Sequence, residues 1–197
     1  MDYFTAFEIF SLATGVAYLV LEILQKNAMW IVGILTAAAA VVVFALKGLY
    51  ASMGLNVYYV VVSVIGLYQW RKDSGSLKAS GAEGEIHLRK LSASTLALSA
   101  AVFIAGTVAL FFILRALGDP ASWLDAAVTV LSAVATWWLA RSIPEQWLLW
   151  IVADIASTAL CLSQGLYWMT ALYAVYAAGA AYGWFHWKKS GNVIDNS

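Results

Sequence analysis

The chain has 197 residues, 63% hydrophobic and 11% charged, with eleven basic residues balancing eleven acidic ones. A soluble domain is about half apolar and a quarter charged, so this composition belongs to a polytopic membrane protein and not to a soluble enzyme or carrier. Zero net charge without a basic patch argues against nucleic-acid binding, and a single cysteine, Cys161, excludes an intrachain disulfide.

A helix needs about 20 apolar residues to cross the hydrocarbon core. The first candidate runs from about Glu8 to Leu24 and ends at Gln25-Lys26-Asn27. Met1-Asp2-Tyr3-Phe4 carries no basic n-region, so this segment reads as a retained span and not a signal peptide. The second spans Met29 to Leu46 and the third Leu49 to Trp70. Arg71 to Lys90, rich in Gly, Ser and charge, reads as the one long loop. The fourth helix, Leu91 to Leu117, stops at Gly118-Asp119-Pro120. The fifth (Trp123 to Ala140), sixth (Glu145 to Ser163) and seventh (Leu166 to Trp187) follow, and Lys188-Lys189 opens a short polar tail.

Counted by side, nine basic residues fall in the segments that include the long loop and the C-terminus, against two (Lys47 and Arg115) on the other. The positive-inside rule therefore puts the loop and C-terminus in the cytoplasm and the N-terminus outside. Trp30, Trp70, Trp123, Trp147 and Trp187 lie near predicted helix ends and are expected mostly as interfacial anchors. His87 and His186 are expected to be solvated or interfacial.

The chain repeats. Shifted by 117 residues, Trp30 falls on Trp147, Gly48-Leu49-Tyr50 on Gly165-Leu166-Tyr167, Tyr59 on Tyr176, Gly66 on Gly183 and Trp70 on Trp187. One ungapped shift thus aligns helices 1–3 with helices 5–7. An odd number of spans per repeat would invert the second copy, and the intervening fourth helix restores its direction. The expected fold is an all-α integral membrane protein of seven transmembrane helices, two parallel three-helix repeats joined by a linker helix (3+1+3), an arrangement known among transporters. The expected units are a first repeat over 1–72, a cytoplasmic loop over 73–90, a linker helix over 91–118, a second repeat over 119–189 and a tail over 190–197.

Candidate chemistry concentrates in the sixth helix. Trp147, Trp150 and Asp154 are spaced three and four apart, which places both indoles and the carboxylate on one helix face. A carboxylate inside an apolar span is costly and is expected to face the bundle interior. With two aromatic rings it suits a flat cation. The repeat is asymmetric here: Gly33 and Ala37 stand opposite Trp150 and Asp154. In the third helix Asn56, Tyr59 and Ser63 form one stripe; in the seventh, Tyr173, Tyr176, Ala180 and Gly183 form another. Glu8 and Asp125 start their helices, and Glu22 lies near the end of the first. No metal motif or nucleophile–base pair is visible, so no catalytic residue, metal or cofactor is expected. The last helix carries no mid-span lysine, which argues against a retinal protein.

Trp147-x-x-Trp150-x-x-x-Asp154, followed by Gln164-Gly165-Leu-Tyr167, resembles the sixth-helix signature of the PnuC family of B-vitamin transporters. Leu49-Tyr50-Ala51-Ser52, with Gly66 and Trp70, resembles that family's third helix. The resemblance spans about residues 8–189 and implies a full-length SWEET-like homotrimer in the bacterial inner membrane. It also implies facilitated diffusion of a vitamin that an intracellular kinase then traps. The substrate-binding residues it implies are Trp147, Trp150, Asp154, Asn56, Tyr59, Ser63, Gln164 and Tyr176. Nicotinamide riboside members resemble one another in carrying Asn where Asp154 stands. The carboxylate is similar to the thiamine-transporting PnuT branch, so thiamine is the expected substrate, with nicotinamide riboside as the alternative and riboflavin third.

Overall fold

The computed structural model describes residues 14–46, 50–79, 81, 86–116, 123–163, 165 and 167–194. The described residues form seven helices: α1 (Thr14–Ile23), α2 (Ala28–Leu46), α3 (Tyr50–Ala79), α4 (Ala93–Ala116), α5 (Trp123–Ala140), α6 (Gln146–Ser163) and α7 (Tyr167–Ser190). Met53–Ala79 of α3, and all of α4, α5 and α6, are long and apolar enough to cross a membrane. Large apolar side chains such as Leu35, Leu98, Ile104 and Phe185 stand mostly exposed, as lipid-facing positions must.

Two sequence expectations are corrected at the loop ends. α3 does not stop at Trp70 but continues to Ala79, so 71–79, expected as loop, is helical. The tail is tied down as well. β1 (His87–Leu88) and β2 (Asn192–Val193) pair in parallel, His87 opposite Asn192.

The turns after α1 and α5 repeat hydrogen bond by hydrogen bond. Gln25 and Ser142, which the 117-residue shift superposes, both adopt left-handed backbone, with φ of 51° and 57°. The Lys26 and Ile143 N–H groups donate to the Leu21 and Trp138 carbonyls at 2.8 and 3.0 Å. The Gln25 and Ser142 N–H groups donate to the Glu22 and Leu139 carbonyls at 3.0 and 2.9 Å. These are paired Schellman caps, each closed by a non-glycine residue at a cost of about 1 kcal/mol. Both are held by the same segment. The Gln25 amide brackets His87, donating to its carbonyl at 3.0 Å and accepting its N–H at 2.8 Å. The Ser142 hydroxyl meets His87 Nδ1 at 2.8 Å, and the Ser142 carbonyl accepts from the Arg89 N–H at 3.0 Å.

Beneath this clasp lie four tryptophans. Trp30, Trp70, Trp147 and Trp187 are all 0–1% exposed, so they form the core and are not the interfacial anchors the sequence suggests. Trp30 meets Trp70 edge-on at 5.0 Å, Trp70 meets Trp187 at 6.3 Å, and Trp187 meets Trp147 at 5.4 Å. Gly66 and Gly183 make room for them: a Cβ would come within 2.5 Å of Trp30 and 2.7 Å of Trp147. α3 reaches the end of α5, and α7 reaches the end of α1. Trp70 Nε1 donates to the Leu139 carbonyl at 3.1 Å, and Trp187 Nε1 to that of Ile23 at 2.9 Å. Trp123, in contrast, is exposed and stacks on Phe111 at 3.8 Å.

His87 is buried, 1% exposed, which corrects the expectation of a solvated histidine. Burial pushes its imidazole down to about 4, against the pull of Asp73. Asp73 lies 3.9 Å away but is already paired with Arg89 at 2.7 Å. The sign follows from linkage. The folded value lies below the unfolded one, so neutral His87 stabilises the fold fully above about pH 6.5 and that stability is lost as pH falls toward about 4. The loss amounts to about 3 kcal/mol. Melting in detergent across that window should fall steeply for the native chain and less steeply for His87→Asn; equal slopes would refute the assignment.

Candidate functional site

A cavity of about 420 Å³ opens among α1, α3, α5, α6 and α7, within the ~300–1,000 Å³ range of small-molecule sites. α1 contributes Gly15, Tyr18, Leu19 and Glu22; α3 contributes Leu55 and Tyr59; α5 contributes Val128, Thr129 and Ser132. α6 adds Trp147, Trp150, Asp154 and Ser157, and α7 adds Tyr173, Tyr176 and Ala180. Among the described residues neither α2 nor α4 supplies a lining residue.

The lining is partly symmetric. Tyr59 and Tyr176, superposed by the repeat, both reach it, as do Gly15 and Ser132. The Tyr176 hydroxyl occupies the space a Cβ on Gly15 would need, which couples α7 closely to α1. The asymmetry lies in charge. Asp154 and Trp150 have Ala37 and Gly33 as counterparts on α2, outside the cavity. Glu22 has Leu139 as its counterpart, and Leu139 is likewise outside.

Glu22 and Asp154 are 6% and 5% exposed. Among the described residues no Lys, Arg or His lines the cavity with them. Neither carboxylate forms an ion pair among the described residues. Two buried carboxylates without a protein cation are costly and attract a positive ligand. Glu22 Oε1, Trp147 Nε1 and Trp150 Nε1 are buried without a hydrogen-bond partner among the described residues. One acceptor and two indole donors on cavity-lining residues are thus left without a partner among the described residues. Tyr18, Tyr59, Tyr173, Tyr176, Thr129, Ser132 and Ser157 surround them with hydroxyls.

Of the residues expected from sequence, Trp147, Trp150, Asp154, Tyr59 and Tyr176 share this cavity. Asn56 and Ser63 do not line it. Ser63 is buried against α2, its hydroxyl 3.2 Å from where a Cβ on Gly33 would lie, so it packs α3 onto α2. Gln164 lies outside the described residues. Tyr68 and Tyr182 are exposed on the outer surface. Sequence reasoning passed over Glu22, Tyr18, Ser132 and Ser157. Glu22 had a readable signal, a carboxylate within the apolar first segment, but its place near the helix end masked it.

Comparisons with known proteins agree on the family and the fold. The chain matches, over residues 5–189, the family described as nicotinamide mononucleotide transporter. It is 27% identical over 186 residues to the nicotinamide riboside transporter PnuC of Neisseria mucosa, covering 89% of this chain and 69% of that one. It is 25% identical over 199 residues to the Escherichia coli K12 nicotinamide riboside transporter PnuC, covering 89% and 82%. The riboflavin/roseoflavin transporter RibM of Streptomyces davaonensis is 29% identical over 140 residues, covering 69% of this chain and 63% of that one. A crystal structure of the vitamin B3 transporter PnuC superposes with a TM-score of 0.67 at 25% identity, over 90% of this chain and 78% of that one.

Proposed function

The chain belongs to the PnuC family of membrane transporters for B-vitamins, and from that premise we propose that it takes up nicotinamide riboside. The observation that carries this reading is the acidic, aromatic cavity without a cation of its own: Glu22 and Asp154 beside Trp147 and Trp150. The pyridinium is a flat cation that the indoles can stack on and the carboxylates can balance. The ribose offers hydroxyls to the surrounding Tyr, Ser and Thr side chains. The PnuC relatives' named substrate favours the same vitamin.

Thiamine is the second reading, favoured by one residue. Asp154 replaces the Asn that nicotinamide riboside members resemble each other in having, and thiamine pairs a thiazolium with a hydrogen-bond-donating aminopyrimidine. Neutral riboflavin gains least from two carboxylates.

The proposal takes α1–α7 as seven spans in a 3+1+3 order, supported by the repeated caps and tryptophan pairs. It sets the N-terminus outside and the C-terminus in the cytoplasm of a bacterial inner membrane, supported by the distribution of basic residues. A homotrimer, facilitated diffusion and intracellular phosphorylation complete it, carried by the family resemblance.

The test is a competitive equilibrium titration on purified protein, read by tryptophan fluorescence, with nicotinamide riboside, thiamine and riboflavin. Nicotinamide riboside should bind tightest. Tighter thiamine binding would transfer the assignment to the second reading, and preference for riboflavin would overturn both.

A further inference from the structure

A second cavity, about 290 Å³, sits at the clasp end of the molecule, away from the vitamin cavity. Arg89, Lys90, Arg141, Gln69, Ser92 and Thr95 line it, with no acidic side chain among its walls. Arg89 is fixed: its guanidinium grips the buried Asp73 through Nη2 at 2.7 Å and Nε at 3.2 Å. Gln69 steadies the same carboxylate at 2.9 Å. That pair cancels one positive charge, and Lys90 and Arg141 leave the cavity net cationic. Arg141 is propped over the Trp137 ring at 5.2 Å, which holds it at the wall.

The cavity also receives the start of α4. Ser92 caps that helix, accepting the Thr95 N–H at 3.1 Å, so the positive end of a 24-residue helix points at the cavity. At 1.5 Å per residue such a helix runs about 36 Å, longer than the ~30 Å hydrocarbon core. Taken as a span, α4 extends past the hydrocarbon core, and its first turn would lie in the headgroup region. α4 is also the most exposed of the long apolar helices, with only Thr107 and Phe111 buried among its described residues. Positive-inside charge by itself does not build such a place. Lys26, Lys72 and Lys78 are exposed and line no described cavity.

We propose that this cavity is a phosphate-binding site, holding the headgroup phosphate of an anionic lipid or a soluble phosphate in the same seat. A fixed arginine, two further cations, the Thr95 hydroxyl and a helix N-terminus are groups such an anion needs. The exposure of α4 favours the lipid source. Occupancy would brace the clasp, because Arg89 and Arg141 flank the segment that Gln25 and Ser142 hold.

The test uses the full chain and the Lys90→Gln/Arg141→Gln variant, leaving Arg89 and its buried partner intact. Native mass spectrometry reads lipid retention from phosphatidylglycerol against phosphatidylcholine nanodiscs, and melting in detergent reads inorganic phosphate against chloride at equal ionic strength. Each lost cation should weaken binding about fivefold, and the pair about 25-fold. Selective retention of phosphatidylglycerol that the variant loses supports the lipid source. Stabilisation by inorganic phosphate that the variant loses supports the soluble one. Absence of both, or a variant that binds as the native chain does, overturns the site.

Discussion

Asp154→Ala should weaken binding of the transported cation by about 30- to 100-fold, some 2–3 kcal/mol, without lowering the melting temperature. The two halves of that expectation come from one fact. Asp154 is buried in the cavity and has no ion-pair partner among the described residues. Removing it strands no protein cation, so the loss falls on the ligand, and relief of a costly buried carboxylate can raise stability. Asp154→Asn removes the charge while keeping the shape and a hydrogen-bonding amide, so for either cationic vitamin it should cost nearly as much as alanine. A fall in melting temperature for Asp154→Ala, with affinity unchanged, would make the residue structural.

Gly183→Ala should cost about 1–3 kcal/mol of stability and reduce binding as well. Its Cβ would come within 2.7 Å of the Trp147 ring. That ring is buried and braced edge-on against Trp187, so it cannot yield as a flexible side chain would. Trp147 also lines the acidic cavity, so displacing it should disturb a ligand bound there. Gly66→Ala is the matched comparison. It pushes on Trp30 at 2.5 Å, with similar loss of stability, but Trp30 is outside the cavity. Binding by the folded fraction should therefore survive. Gly54 has open space around it, and Gly54→Ala should be neutral or stabilising by about 0.5–1 kcal/mol through helix propensity. Melting and titration of the three variants together check this. A Gly54 variant as damaged as the other two would remove the packing explanation.

The repeat was the most informative feature of the sequence, because Trp, Tyr and Gly at one offset mark packing positions that an Ala/Val/Leu background does not. It foreshadowed the Trp30–Gly66–Trp70 and Trp147–Gly183–Trp187 contacts, yet the same tryptophans read as interfacial anchors from their place near helix ends. What buries them is the clasp, a long-range arrangement of Gln25, His87, Ser142 and Asp73 that no local pattern encodes. The same clasp explains why 71–79 is helical despite its Gly, Ser and charge: tertiary contacts through Asp73 and Arg89 override local propensity. Trp147, Trp150 and Asp154 could be placed together because one helix fixes their spacing. Asn56 and Ser63 could not be placed, since a helix apolar on most sides offers no clear phase for which stripe faces inward. Glu22 needed the fold, because only the approach of α1 to α6 and α7 shows that its carboxylate shares a cavity with Asp154.

The central claim is that the cavity selects a flat cation through two carboxylates and two indoles. The most direct measurement compares nicotinamide riboside with its reduced, uncharged dihydro form, nearly the same shape without the positive ring, by equilibrium titration on the purified chain. The cation should bind about 30-fold tighter or more, a difference of some 2 kcal/mol for a desolvated charge pair. Equal affinity for the two forms, or tighter binding of the neutral one, would contradict the account.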